Sequence, residues 1–353
     1  MFVYKIIENK YISKENSVDL KALFSGEVDT KSIKKTVKRI KPSGRCVICD
    51  TNLADSGYYY AMKYTLKKSS FWSKEGNYTE YKIPKKHGGF RTLHEPCCNL
   101  KKEQKDIAKC ISLIMIVPRH SAAFAYSKKR SPVDAIKRHQ KAQSRWFLKI
   151  DLKSFFDNCN SDLIEKQLPK VYPFHAMSGD DMHKFLNIVT YHDCLPQGAP
   201  SSPIISNIIM IPFDHELSKV LRKNGFVYTR YADDLLISNK NKFNPKEIIA
   251  IIKQVMAENG YKFEINEEKT RFGNINGRNW NLGLMLNKDH NITVGHNNKK
   301  IMKAMLTKLM TDNSLSSHDR ARIEGLFSYY RMVEKDYFEY LRSKYEAKFR
   351  LNT

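Results

Sequence analysis

Three aspartates offer the first chemistry in this sequence. Asp151 interrupts the apolar run "RWFLKIDLKSFFDNC" at 145–159, and Asp233 and Asp234 stand side by side in "TRYADDLLISN" at 229–239. Adjacent carboxylates repel and burial penalises both, so a core-bound segment that keeps such a pair calls for something positive on it. Magnesium prefers carboxylate and phosphate oxygens and retains waters, so one or two protein carboxylates plus substrate phosphates complete its octahedron. Two such ions a few ångströms apart can activate a 3′ hydroxyl and stabilise a leaving pyrophosphate. Spacing alone leaves a simpler alternative open, because aspartate suits solvated turns in any case.

The surrounding text supplies elements to position these acids. Residues 145–159 read as a strand, and "GFVYTRYADDLLISN" reads as a β-hairpin with the aspartate pair at or near its turn. Between them, "CLPQGAPSSP" at 194–203 holds three prolines and a glycine that force a turn before an apolar helix, "IISNIIMIPFDHELSKVL". Upstream, "YTEYKIPKKHGGFRTLHEP" predicts strand, Gly-Gly turn, strand, and Leu100, Ile107 and Ile111 then fall at helical spacing. Downstream, a helix from Pro245 ends near Gly260 and a strand is expected directly after it, followed by a hairpin over "NWNLGLMLNKDHNITVG". From Lys299 onward the pattern is helical, and Ile301, Met305 and Leu309 form an amphipathic stripe expected to be core.

Composition narrows the partner. The 353 residues suffice for two or three subdomains, and 41% hydrophobic content fits a soluble globular chain. A formal charge of +24 is costly self-repulsion unless a polyanion neutralises it, so nucleic acid is the expected partner. The excess is clustered: ten Lys or Arg lie between Arg119 and Lys153 against Asp134 and Asp151 alone. No apolar stretch is long enough to span a bilayer, and the N-terminus lacks the apolar segment of a signal peptide, so a cytoplasmic location is expected. Seven cysteines then read as reduced thiols. Cys46 and Cys49 with His94 and Cys97 have the gaps of a zinc clip, but zinc is not expected because the latter two fall inside the hairpin motif.

Several motifs in order over residues from about 80 to 290 make the chain resemble the reverse transcriptases. "YADD" at 231–234 is similar to the segment carrying two catalytic aspartates, and "DLKSFFD" at 151–157 to the strand carrying the first. "LPQGAPSSP" at 195–203 resembles the loop that seats template and incoming nucleotide, and "IPKKHGGFR" at 83–91 the fingers hairpin that grips the triphosphate. "NEEKT" at 266–270 and "NLGLMLN" at 281–287 resemble the palm-lysine segment and the primer grip. The resemblance implies an α+β right-hand polymerase: an N-terminal extension at 1–75, fingers at 76–145, a palm of antiparallel sheet plus helices at 146–290, and a helical thumb at 291–353.

Residue roles follow from the same resemblance. Asp151, Asp233 and Asp234 would hold two magnesium ions, and Lys269 would be general acid for pyrophosphate. Arg91, with Lys85 or Lys86, would meet the triphosphate, since a guanidinium fork contacts phosphate bidentately. Gln197 and Gly198 would lie under the nascent base pair, Leu282 and Gly283 in the primer grip, and Lys299, Lys300, Lys303 and Lys308 on RNA or duplex backbone. Phe156, five residues after the first aspartate, would exclude a ribose 2′ hydroxyl and favour deoxynucleotides.

The implied partners are a noncoding template RNA, its DNA product as an RNA–DNA hybrid, and deoxynucleoside triphosphates, with no membrane. The roughly 120 residues after the YADD segment suffice for palm completion and a thumb, so a retroviral or mobile-element polyprotein is not expected. "QGAPSSP" resembles bacterial enzymes, and the tail at 322–341 resembles antiphage, defence-associated types. A retron enzyme making msDNA is the alternative, although Asp134 replaces the retron asparagine, His139 sits one place late, and "ITVGHNNKK" only echoes the retron thumb motif. An RNA-binding scaffold or toxin platform, and untemplated nucleotide addition, remain readings of other kinds. An oligomeric partner or effector protein leaves no mark in the sequence.

Overall fold

The run "WFLKID" becomes a strand because its apolar residues fall on both sides of the pleat: Phe147, Leu148 and Ile150 are fully buried. Around it, a computed structural model describes residues 62, 65–66, 76–85, 88–115, 119–171, 174–275, 283–312 and 314–350. In chain order these hold β1 (Tyr78–Pro84), β2 (Phe90–Pro96), α1 (Cys98–Ile114), α2 (Pro132–Lys141), β3 (Trp146–Asp151), α3 (Ser161–Gln167), α4 (Gly179–Val189), α5 (Ser202–Ile209) and α6 (Ile211–Lys223). Next come β4 (Val227–Tyr231), β5 (Asp234–Asn239), α7 (Pro245–Asn259), β6 (Arg271–Asn274), β7 (Met285–Leu286), β8 (Ile292–Thr293), α8 (His296–Thr311), α9 (Ser317–Val333) and α10 (Lys335–Arg350). Cys46, Cys49, Lys86, Leu282 and most of 1–75 lie outside the described residues.

Two units make up the chain, one from residues 1–126, 153–217 and 252–263, the other from 127–152, 218–251 and 264–353. In the first, β1 and β2 pair as an antiparallel hairpin whose turn uses Gly88 and Gly89 at φ +92° and +76°. Leu100, Ile107 and Ile111 are buried along α1, as their spacing predicts. The expected single apolar helix is broken between Ile209 and Ile211, since Pro212 has no N–H and its ring would clash with the carbonyl of Ile208. The strand expected directly after Gly260 is reduced to a single antiparallel bridge of Ile265 to Leu152: Tyr261 and Phe263 bury their rings beside Phe213 and Phe155, and the continuous pairing on β3 starts at Arg271.

The second unit is built on a four-stranded antiparallel sheet in the order β4-β5-β3-β6. One sheet face, with Phe147 and Leu236, packs against Val133 and Ile136 of α2, Leu284 and Leu286, and the buried side of α8 to α10. Met302 and Leu306 are the buried residues of α8, while Ile301 is 49% exposed. The sequence stripe is therefore displaced: its Met305 and Leu309 are only partly buried beside the core. Ser131 and Asp134 form a capping box, each side chain accepting the other's backbone N–H, with Pro132 in the first turn of α2.

Candidate active site

Strand register brings the acids together. Asp151, the last residue of β3, lies directly opposite Asp234, the first residue of β5. Tyr231 pairs with Asp234 across the β4–β5 hairpin, leaving Ala232 and Asp233 as its two-residue turn. Ala232 has φ +56°, a conformation that disfavours a side chain and that two-residue hairpins commonly fill with glycine. The Leu152 N–H donates to the Asp233 carbonyl at 3.1 Å, which ties this turn to the end of β3. The Asn266 N–H donates to the Asp151 carbonyl at 2.8 Å and brings the segment carrying Lys269 to the same place.

Two lysines sit on the carboxylates. Lys269 Nζ reaches Asp151 at 3.0 Å and 3.3 Å, and Lys149 Nζ reaches Asp234 at 2.9 Å. Asp233 has no such bond in the same cluster. Its carboxyl is pushed up to about 6, first by burial and then by repulsion from Asp234 and Asp151. Burial also raises Asp234, against the pull of Lys149. Among the described residues no three His, Cys, Asp or Glu side chains stand arranged to hold a metal. The donor set nonetheless fits a hard cation: oxygen ligands at one sheet end, three largely buried carboxylates against two ammonium groups. Asp151, Asp233 and Asp234 are the residues that could hold it.

Beneath this turn lies a polar network that the sequence did not disclose. His139 of α2 is wholly buried, its Nδ1 2.5 Å from Ser238 Oγ and its Nε2 2.8 Å from Thr229 Oγ1, and Ser238 Oγ donates to Ser144 Oγ at 2.7 Å. Burial holds the imidazole down to about 3, so it is neutral and clips α2 to both strands of the hairpin. Buried Arg230 donates to the Ala232 carbonyl at 3.1 Å, supporting the strained residue. Lys149 was also missed. Its signal is period two: it lies on the same strand face as Asp151, diagonal to Asp234.

The other expected residues fall as follows. In the first unit, Lys85 and Arg91 are exposed on the β1–β2 hairpin, Arg91 opposite Ile83. The Gln197 carbonyl accepts the His94 N–H at 2.7 Å, and Gly198 at φ +111° lies so close to His94 that a Cβ would sit 3.0 Å from its carbonyl oxygen. Phe156 is half-buried with its ring 6.2 Å from Tyr126, while Phe155 beside it is buried and stacks on Phe263. His94 Nε2 lies 3.3 Å from Glu80, and Cys97 is a free thiol. In the second unit, Gly283 has φ +84°. Lys300, Lys303 and Lys308 are exposed on α8, whereas Lys299 is bound to Glu334 at 2.6 Å and lies 4.3 Å from the Tyr337 ring centre.

An antiparallel sheet with an acid closing one strand and two more at the adjoining hairpin is the arrangement expected of a polymerase palm. The chain belongs to the reverse transcriptase family: residues 83–324 match the family described as reverse transcriptase (RNA-dependent DNA polymerase). It is similar to the Retron Ec83 reverse transcriptase of Escherichia coli, 29% identical over 280 residues, covering 76% of this chain and 87% of the relative. The Retron Ec73 reverse transcriptase of Escherichia coli is 27% identical over 275 residues, covering 75% and 86%. Among solved structures, a Candida tropicalis telomerase in complex with a telomeric RNA fragment aligns with TM-score 0.49 at 15% identity, over 75% of this chain and 55% of that one. The protein is an RNA-directed DNA polymerase with the right-hand fold, acting on an RNA template and deoxynucleotides; enzymes of this family use divalent metal ions such as magnesium. No helix among the described residues is long and apolar enough to cross a membrane.

Proposed function

We propose that this polymerase copies a dedicated noncoding RNA into DNA in the bacterial cytoplasm, as a retron-type enzyme with a role in antiphage defence. The observation that carries the catalytic part is the register of Asp151 against Asp234, with Asp233 in the adjoining turn. Asp151, Asp233 and Asp234 would hold two magnesium ions, which supply activation of the primer hydroxyl and charge neutralisation at the leaving pyrophosphate. Lys269, whose Nζ is bound to Asp151, would release that carboxylate and deliver a proton to the departing pyrophosphate. Arg91, Lys85 and Lys86 bind triphosphate, Gln197 and Gly198 seat the nascent pair, Leu282 and Gly283 grip the primer, and Phe156 excludes the 2′ hydroxyl.

Between the two classes expected from the sequence, the retron reading gains support from relatives that are themselves retron reverse transcriptases. The departures at Asp134 and His139 also have local reasons here, one a capping box and the other a buried clip. The test is to purify the protein with its copurifying RNA, supply magnesium and labelled deoxynucleotides, and sequence the product, with Asp233→Ala as control. DNA complementary to the RNA, made by the wild type alone, is the expected result. Homopolymer would instead identify a terminal transferase, and no product from either protein a scaffold.

A further inference from the structure

The tight turn just before the Gln197 loop is built against its own stereochemistry. Tyr191 and Cys194 exchange both backbone hydrogen bonds, at 2.8 Å and 3.1 Å, around His192 and Asp193. Both central residues have positive φ, +48° and +58°. That is the backbone of a type I′ turn, where Asn-Gly is favoured and a histidine is strained. The turn is also fixed: the Asp193 carbonyl accepts the Ser161 N–H at 3.1 Å, and the Leu195 N–H donates to the Cys159 carbonyl at 3.1 Å. These bonds fix the backbone at His192, whose side chain is exposed.

His192 is the outer member of an aromatic series. Its ring centre is 4.0 Å from that of Tyr191, which is 4.2 Å from Tyr78 and 5.3 Å from His94. The inner end is anchored, since the buried Gln104 amide donates to the Tyr78 hydroxyl at 2.9 Å. The series is continuous with the Gln197 loop through the His94 N–H and the close approach of Gly198. Packing explains the half-buried tyrosines. It does not explain an exposed histidine placed where a small or flexible residue is favoured.

We infer that the Tyr78–Tyr191–His192 series is a stacking platform for an unpaired base of the RNA template, held beside the loop that seats the nascent base pair. Rigid aromatic faces with one open end bind unstacked bases of any sequence, while bases inside a duplex have no free face to offer. Lys82, Lys85 and Arg91 are exposed toward the turn of the hairpin whose base carries Tyr78, while Glu80 and Asp193 stand beside the rings, so the platform would hold the base by its face and leave the phosphates to the cations further along. The inference rests on the proposed placement of the template at Gln197 and Gly198.

The double variant His192→Asn/Asp193→Gly gives the turn the residues it favours and removes the exposed ring. Binding is measured to an RNA–DNA primer–template with a 5′ RNA overhang and to the same duplex made blunt, together with the thermal midpoint. The platform predicts an unchanged or higher midpoint, about 5- to 20-fold weaker binding of the overhang substrate, and unchanged binding of the blunt duplex. Tyr191→Phe should keep overhang affinity and Tyr191→Leu should lose it. Equal losses on both substrates, or no loss on the overhang, would overturn the platform. Asp233→Asn separates the two readings, since it should bind the overhang as the wild type does while making no DNA. A wild type that binds the overhang but never extends a primer would count against the polymerase assignment alone.

Discussion

Asp233 carries an energetic cost that the proposed metal-binding role would explain. Its folded carboxyl value of about 6 lies above the ordinary 3.8, so the folded chain holds a proton that the unfolded chain has lost between those values. Stability from this group is therefore present below about pH 4 and is lost as pH rises through about 6. Asp233→Asn should raise the thermal midpoint of the metal-free protein at pH 7.5, by an amount corresponding to roughly 1–3 kcal/mol, and should leave it unchanged near pH 4. The same variant should abolish DNA synthesis. A lower midpoint at pH 7.5, measured with chelator present, would show that protein groups already compensate this charge. Lys269 has a different signature: Lys269→Ala frees Asp151 and removes the proposed proton donor, so kcat should fall by about 10²-fold or more with little change in KM for deoxynucleotide. Pre-steady-state primer extension checks this, and a change confined to KM would make Lys269 a binding group.

At the scale of elements, the β4–β5 hairpin and its clip to α2 decide whether the acids meet. His139 is neutral in the fold, with its imidazole held down to about 3 from an ordinary 6.5. The folded state then binds fewer protons than the unfolded one between those values, so stability is full above about pH 6.5 and is lost as pH falls below it. His139→Leu keeps the volume but leaves Thr229, Ser238 and Ser144 to re-form their bonds, and should destabilise by roughly 2–4 kcal/mol at pH 7.5. Its midpoint should also fall less steeply than that of the wild type between pH 6.5 and 5, as followed by denaturation at each pH. The hairpin, its aspartate turn and the strand of Asp151 were legible in the sequence because apolar residues bracket the acids. The clip was not, because a buried histidine reads like any polar residue on an amphipathic helix until its partners on β4 and β5 are known. The core stripe of α8 was misplaced for a related reason: Ile301, Met305 and Leu309 have helical spacing, yet Met302 and Leu306 face the sheet. Periodicity fixes that a helix has an apolar side, while the neighbouring helices choose which of two adjoining rows is buried.

At the scale of the whole molecule, an excess of 24 positive charges governs how RNA is held, and it need not be shared equally among lysines that look alike in the sequence. Four lysines on α8 were expected on nucleic-acid backbone. Three of them, Lys300, Lys303 and Lys308, are exposed. Lys299 instead binds Glu334, whose carboxylate also accepts the Thr293 hydroxyl and the Val294 N–H at 2.9 Å each, so it joins the β7–β8 hairpin to the α9–α10 junction. Each lysine that neutralises a phosphate releases counterions, so the dependence of log affinity on log salt becomes shallower by about 0.7–0.9 for every such contact removed. Replacing Lys300, Lys303 and Lys308 together by alanine should reduce that slope by about 2–3 on an RNA–DNA duplex and leave the thermal midpoint near that of the wild type. Lys299→Ala should do the reverse, lowering the midpoint with little change in slope, because it leaves a largely buried carboxylate without its ammonium partner. Fluorescence titrations at a series of salt concentrations separate the two roles, and an equal slope change for Lys299 and Lys303 singly would return Lys299 to the phosphate-binding set.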